Sequence, residues 1–234
     1  MIRSFIETSL IDWDGRLSMV LFFDRCNFNC PFCQNWRLIL HPQKFPLISS
    51  DEIFRKLNKK KGWIDGVVLT GGEPLIYKKG VFEIAQRLKK VGFGVKLDTN
   101  GSYPDALKLL IGKKLVDYVA MDIKAPLNEQ YYIAAGKTFD LNKIKKSVRI
   151  MMKDLVDYEF RTTCVPGIID ENIIKKIGGE IRGARRWVLQ SFVPANAREE
   201  AYQHKKFSVR ELETLLNIAC RYVPNAQLRG VEKT

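Results

Sequence analysis

A chain of 234 residues that is 46% hydrophobic can bury a proper core as one α/β domain, and its apolar residues run the whole length, which excludes a disordered protein. No apolar run approaches a membrane span and MIRSFIETSL lacks the hydrophobic stretch of a signal peptide, so a cytoplasmic protein without a membrane partner is expected. The net charge of +13 raises nucleic acid as a partner, but the lysines gather at the ends of helical stretches such as RKLNKKKG and IKKIGG, where they suit a solvated surface better.

In chain order, short apolar runs alternate with amphipathic stretches. LSMVLFFD (17–24), GVVLTGG (66–72), FGVKLDTNG (93–101), VDYVAMDIK (116–124), YEFRTT (158–163) and RWVLQSF (186–192) read as strands, several continuously apolar as in a buried parallel sheet. SSDEIFRKLNKKKG reads as a helix opened by a Ser49/Glu52 capping box and closed at Gly62. LNKIKKSVRIMMKDL places Leu141, Ile144, Val148, Met151, Met152 and Leu155 on one helical face. FSVRELETLLNIACRYV has a second capping box, Ser208/Glu211, and an apolar face through Leu212, Leu215, Leu216 and Ala219. Such alternation predicts a parallel α/β architecture in which strand C-termini carry the site. After the strands come DRC, TGGEP, DTNG, MDIK, RTTCVPG and QSFVP, so polar, charged and glycine residues gather just past the strand ends.

The first of those endings leads into CNFNCPFC, with Cys26, Cys30 and Cys33 inside eight positions. A zinc site needs a fourth ligand, and the two histidines, His41 and His204, sit in unrelated polar surroundings. A Cys30/Cys33 redox pair would leave Cys26 unexplained. Cys164 and Cys220 stand alone and read as small buried apolar residues. Three thiolates can instead hold three irons of a [4Fe–4S] cube and leave the fourth iron open to a non-protein ligand.

C-x-x-x-C-x-x-C after the first strand, with Phe32 before the last cysteine and GGEP (71–74) after the second strand, resembles the radical S-adenosylmethionine (SAM) superfamily. The resemblance implies a partial (β/α)6 TIM-like barrel with a parallel sheet. One domain over 1–234 is expected, its radical SAM core at about 17–192 followed by a C-terminal helix and strand at about 208–229. It implies one [4Fe–4S] cluster on Cys26, Cys30 and Cys33, with SAM chelated at the open iron and reductively cleaved to a 5′-deoxyadenosyl radical. Phe32 and Gln34 would meet the adenine side. Gly71 and Gly72 would let the backbone approach the methionine amino group, with Glu73 and Pro74 fixing that edge.

Within the superfamily the chain looks most like activating enzymes of glycyl radical enzymes, through ETSLIDWDGR, VKLDTNG, VDYVAMDIKAP, RTTCVPG and RYVPNAQLRG besides the two motifs. That implies abstraction of a glycine Cα hydrogen from a partner protein, with an anaerobic ribonucleotide reductase foremost, and an electron donor such as flavodoxin or ferredoxin. It also implies a monovalent cation near Asp98, Thr99 and Asp122, and a hold on the cofactor's polar groups by Asp122, Lys124 and Arg161. Gln34 and Phe192 stand where pyruvate formate-lyase activases carry histidines, which weakens that narrower assignment. A radical SAM enzyme acting on tRNA or a small metabolite is the alternative, and a non-enzymatic metal- or nucleic-acid-binding module ranks below it.

Overall fold

The computed structural model describes residues 1–231; residues 232–234 of the expected domain span lie outside the described residues. The chain begins with strand β1 (Ile2–Ser9) and strand β2 (Ser18–Phe23), followed by helices α1 (Trp36–Leu40) and α2 (Ser50–Lys59). Strand β3 (Gly66–Gly71) leads to α3 (Lys78–Lys90), β4 (Gly94–Thr99) to α4 (Pro104–Gly112). Strand β5 (Tyr118–Asp122) precedes α5 (Gln130–Ala135) and α6 (Asn142–Met151). The chain closes with β6 (Asp157–Cys164), α7 (Glu171–Glu180), β7 (Trp187–Ser191), α8 (Val209–Cys220) and β8 (Ala226–Arg229).

Local chemistry sets the helix starts. Ser208 and Glu211 form both halves of the capping box on α8, whereas on α2 Ser49 Oγ accepts from the Glu52 amide at 3.1 Å without the return bond. Helix α6 stops at Met151, and Asp154 then turns the chain at φ 57°, so Leu155 leaves the predicted apolar face and is 71% exposed.

Each strand pairs with its chain neighbour in the order β1 to β8; β2 through β8 run parallel and β1 lies antiparallel against β2. The six predicted strands are β2 to β7. Strand β1 escaped the sequence reading because it is an edge strand with two register shifts and an exposed middle, so it shows no clean alternation.

The two faces of the sheet differ. Met19, Leu21, Leu69, Val95, Leu97, Met121, Phe160 and Trp187 pack outward into the large core beneath the helices. Their alternating neighbours face inward: Lys96, Asp98, Asp122 and Arg161 form ion pairs with one another, Lys96 also donates to the Asp12 carbonyl of the loop after β1, and Glu159 pairs with Arg186 and with Arg229 of β8. A flat sheet would hold β2 and β8 roughly 30 Å apart. Arg229 of β8 nonetheless bonds Asp14, just before β2, at 2.9 Å, so the sheet curls into an open barrel.

The β1–β2 loop plugs the floor of this barrel. Trp13, 4% exposed, packs on Val20, Val68 and Tyr118 as a small apolar cluster separate from the outer core. Gly66 and Gly94, at the starts of β3 and β4, make room for its ring: a Cβ there would come within 2.6 and 3.1 Å of it.

Candidate active site

The cysteine loop follows β2 and opens with Arg25 in the left-handed region at φ 64°. Two neighbours hold it in place. The Asn29 amide donates to the Ala135 carbonyl at 2.7 Å, and the Glu199 amide donates to the Pro31 carbonyl at 2.9 Å. Cys26, Cys30 and Cys33 line one cavity of about 300 Å³ at the C-terminal ends of the strands. Among the described residues no three side chains converge tightly enough to hold a single metal ion. Cysteines of a cube attach to separate irons and stand wider apart, so this donor set fits a cluster better than zinc. Burial pushes the thiols up, to about 12 for Cys26 and about 11 for Cys30, so iron has to displace protons that the apoprotein holds firmly.

The GGEP stretch ends β3 beside this loop. A Cβ on Gly72 would collide with the Arg25 carbonyl, and one on Gly71, at φ 116°, with the Phe23 backbone. The glycines are therefore demanded first by the chain running into the cysteine loop, while both still line the cavity. Glu73 turns away from the cavity and is fully buried. Its carboxylate accepts from Thr99 Oγ1 at 2.9 Å and from the amides of Asn100 and Leu75 at 2.7 and 3.0 Å. Burial outweighs these bonds and raises its pKa to about 7. Pro74, also buried, starts a short 3₁₀ turn.

The opposite wall is charged. Arg161 bridges Asp98 at 2.8 Å and Asp122 at 3.0 Å, and Lys124 Nζ lies 3.0 Å from Asp122. Burial alone would raise both carboxylates, but Lys124 and Arg161 bring Asp122 down to about 2, and Arg161 with Lys96 holds Asp98 below its ordinary value. Asp98 Oδ1 is buried without a hydrogen bond, its nearest charge being Lys96 Nζ at 3.4 Å. Three cationic side chains thus meet two carboxylates. That surplus suits an anionic group such as the carboxylate of an amino-acid cofactor. It does not suit the monovalent cation expected at Asp98 and Asp122, because the Arg161 guanidinium already bridges that pair.

Phe32, Gln34, Asp98, Thr99, Asp122, Lys124 and Arg161 line the cavity together with the cysteines and the two glycines; Glu73, Pro74 and Phe192 stand behind its walls. Phe192, 1% exposed, meets Phe32 edge-on with ring centres 6.4 Å apart, so it buttresses the aromatic that faces the cavity. Gln34 is exposed at the mouth, donating to the Val193 carbonyl at 3.3 Å. Sequence reasoning missed Asn35, whose amide holds the Gly71 carbonyl at 2.9 Å, and Asn100, Thr163 and Gln190, which line the cavity. Each lies in a polar strand ending or two residues after the third cysteine, and that position was the available signal.

The model of the radical SAM superfamily matches residues 20–177. A Methanocaldococcus jannaschii protein whose name assigns it to the glycyl-radical enzyme activating enzymes is 33% identical over the whole of this chain and 98% of its own length. The pyruvate formate-lyase-activating enzyme of Clostridium pasteurianum is 28% identical over 58% of this chain and 57% of its own. Among solved structures, Streptococcus suis SuiB superposes with a TM-score of 0.71 at 14% identity, over 91% of this chain and 49% of that one, a likeness of fold. With a three-cysteine cavity at the strand ends of an open barrel, and a family model spanning most of the sheet, the chain belongs to the radical SAM superfamily and is an enzyme that uses a [4Fe–4S] cluster and S-adenosylmethionine.

Proposed function

We propose that the protein activates a glycyl radical enzyme, with an anaerobic ribonucleoside-triphosphate reductase as the foremost partner, by removing one hydrogen atom from a glycine Cα. The observation that carries the activating role is the full-length match to the Methanocaldococcus relative; the choice of reductase rests on the resemblance of the sequence motifs. Reductive cleavage of S-adenosylmethionine at the cluster supplies the 5′-deoxyadenosyl radical that accepts the hydrogen atom. Cys26, Cys30 and Cys33 would hold the cluster. Lys124 and Arg161 would receive the cofactor carboxylate, and Phe32 would lie against the adenine. Gly71 and Gly72 offer unshielded backbone to the methionine end. The barrel floor is sealed by Trp13, so a peptide loop enters from the mouth beside Gln34 and Val193. The glycyl product is stabilised by the amides on either side of it.

The net charge of +13 supports an acidic electron donor such as flavodoxin or ferredoxin. We place the protein in the cytoplasm, a reading supported by five free cysteines; no described helix is long and apolar enough to cross a membrane.

The test is anaerobic reconstitution with iron and sulfide, followed by dithionite, S-adenosylmethionine and the candidate reductase. A glycyl doublet in the electron paramagnetic resonance spectrum, absent when the partner's glycine is replaced, is expected alongside 5′-deoxyadenosine. Cleavage that gives no doublet with any glycyl radical enzyme, but consumes hydrogen from tRNA or a small metabolite, rejects this substrate class.

A further inference from the structure

Among the described residues, Cys26 is the one cluster cysteine whose sulfur receives a hydrogen bond from a side chain. Asn100 Nδ2 donates to Cys26 Sγ at 3.8 Å, alongside the Phe28 amide at 3.4 Å. The Asn100 side chain, 4% exposed, has no freedom to turn away. Its Oδ1 accepts from the Ser102 amide at 2.9 Å, which forces the NH₂ group toward the sulfur. The second N–H donates to Asn27 Oδ1 at 3.0 Å, and Asn27 is itself held by Ser102 Oγ at 2.9 Å. On the other side, the Asn100 backbone amide is anchored on Glu73 of GGEP at 2.7 Å. A continuous polar chain therefore runs from GGEP through the end of β4 to one iron-ligating sulfur.

We propose that Asn100 is a positioning residue that sets the reduction potential of the cluster through Cys26. An N–H group aimed at a ligating thiolate stabilises the added negative charge of the reduced cluster and raises its potential. Glu73, in this arrangement, serves the cluster at one remove by holding the Asn100 backbone. The inference needs the cluster alone and not the glycyl substrate, so a failed partner assay leaves it standing.

The experiment is potentiometric titration of the reconstituted protein, followed by electron paramagnetic resonance, on wild type, Asn100→Ala and Asn100→Asp. Both variants remove the donor, one with loss of volume and one at constant shape. The expected result is a lower midpoint in both, with the reduced-to-oxidised ratio at a set potential falling about tenfold, or about 59 mV for a one-electron couple. Iron and sulfide content should match wild type. A fully loaded alanine or aspartate variant with a wild-type midpoint overturns the proposal. Failure of both variants to load a cluster on a folded chain makes Asn100 merely structural, and overturns it as well.

Discussion

Glu73 holds a titratable carboxyl where no water reaches it. Its folded pKa of about 7 lies above the ordinary 4.5. Between those values the folded chain keeps a proton that the unfolded chain has released, so this group's contribution to stability falls as pH rises through that window. Glu73→Gln removes the titration, but its amide presents a donor where Thr99 Oγ1 and two backbone amides already donate. The variant should be less stable by about 1–3 kcal/mol, with the gap to wild type narrowing from pH 4.5 to 7; urea melts across that range check it. Asp122 titrates the other way, held at about 2 by Lys124 and Arg161, and its charge persists throughout the same range. Asp122→Asn leaves two buried cations short of a partner and should cost about 3 kcal/mol, read by denaturant unfolding of the apoprotein. Cys30→Ala should lose the cluster and S-adenosylmethionine cleavage together; retention of both would contradict its role as a ligand.

Elements explain what the sequence could and could not disclose. Strands β2 to β7 were readable because they are buried on both faces or end in polar clusters, and α8 because its capping box is complete. The β1–β2 hairpin was opaque: Trp13 matters through Gly66 and Gly94, more than 50 residues away, and such contacts leave no local period. This fit makes a testable cycle. Trp13→Ala should cost about 3–5 kcal/mol. Gly66→Ala should destabilise more than Gly94→Ala, since its new methyl also meets the Gly94 carbonyl at 2.7 Å, while the Gly94 methyl meets the indole at 3.1 Å and the Asp65 carbonyl at 3.3 Å. In the Trp13→Ala background the Gly94→Ala penalty should shrink to what the Asp65 carbonyl imposes, a coupling that a double-mutant cycle of unfolding free energies measures.

At the scale of the molecule, the site was legible where chemistry demands unusual residues close together, as in the three cysteines and the glycine pair. It was illegible where long-range hydrogen bonds assemble ordinary asparagines, as with Asn27 and Asn100, 73 positions apart and joined through one amide. The roles of Glu73 and Phe192, behind the walls instead of on them, likewise depend on which way a side chain turns at a strand end.

The strictly sequential strand order has a consequence for biosynthesis. Every strand pairs with the one made before it, so the sheet can grow as the chain leaves the ribosome. The cysteine loop, however, is translated well before Glu199, which pins the Pro31 carbonyl and follows it by 168 positions. At ordinary elongation rates that interval is on the order of ten seconds. During it the nascent loop is unsheltered, so the iron–sulfur delivery machinery finds a finished receptacle only once the chain through Glu199 has emerged.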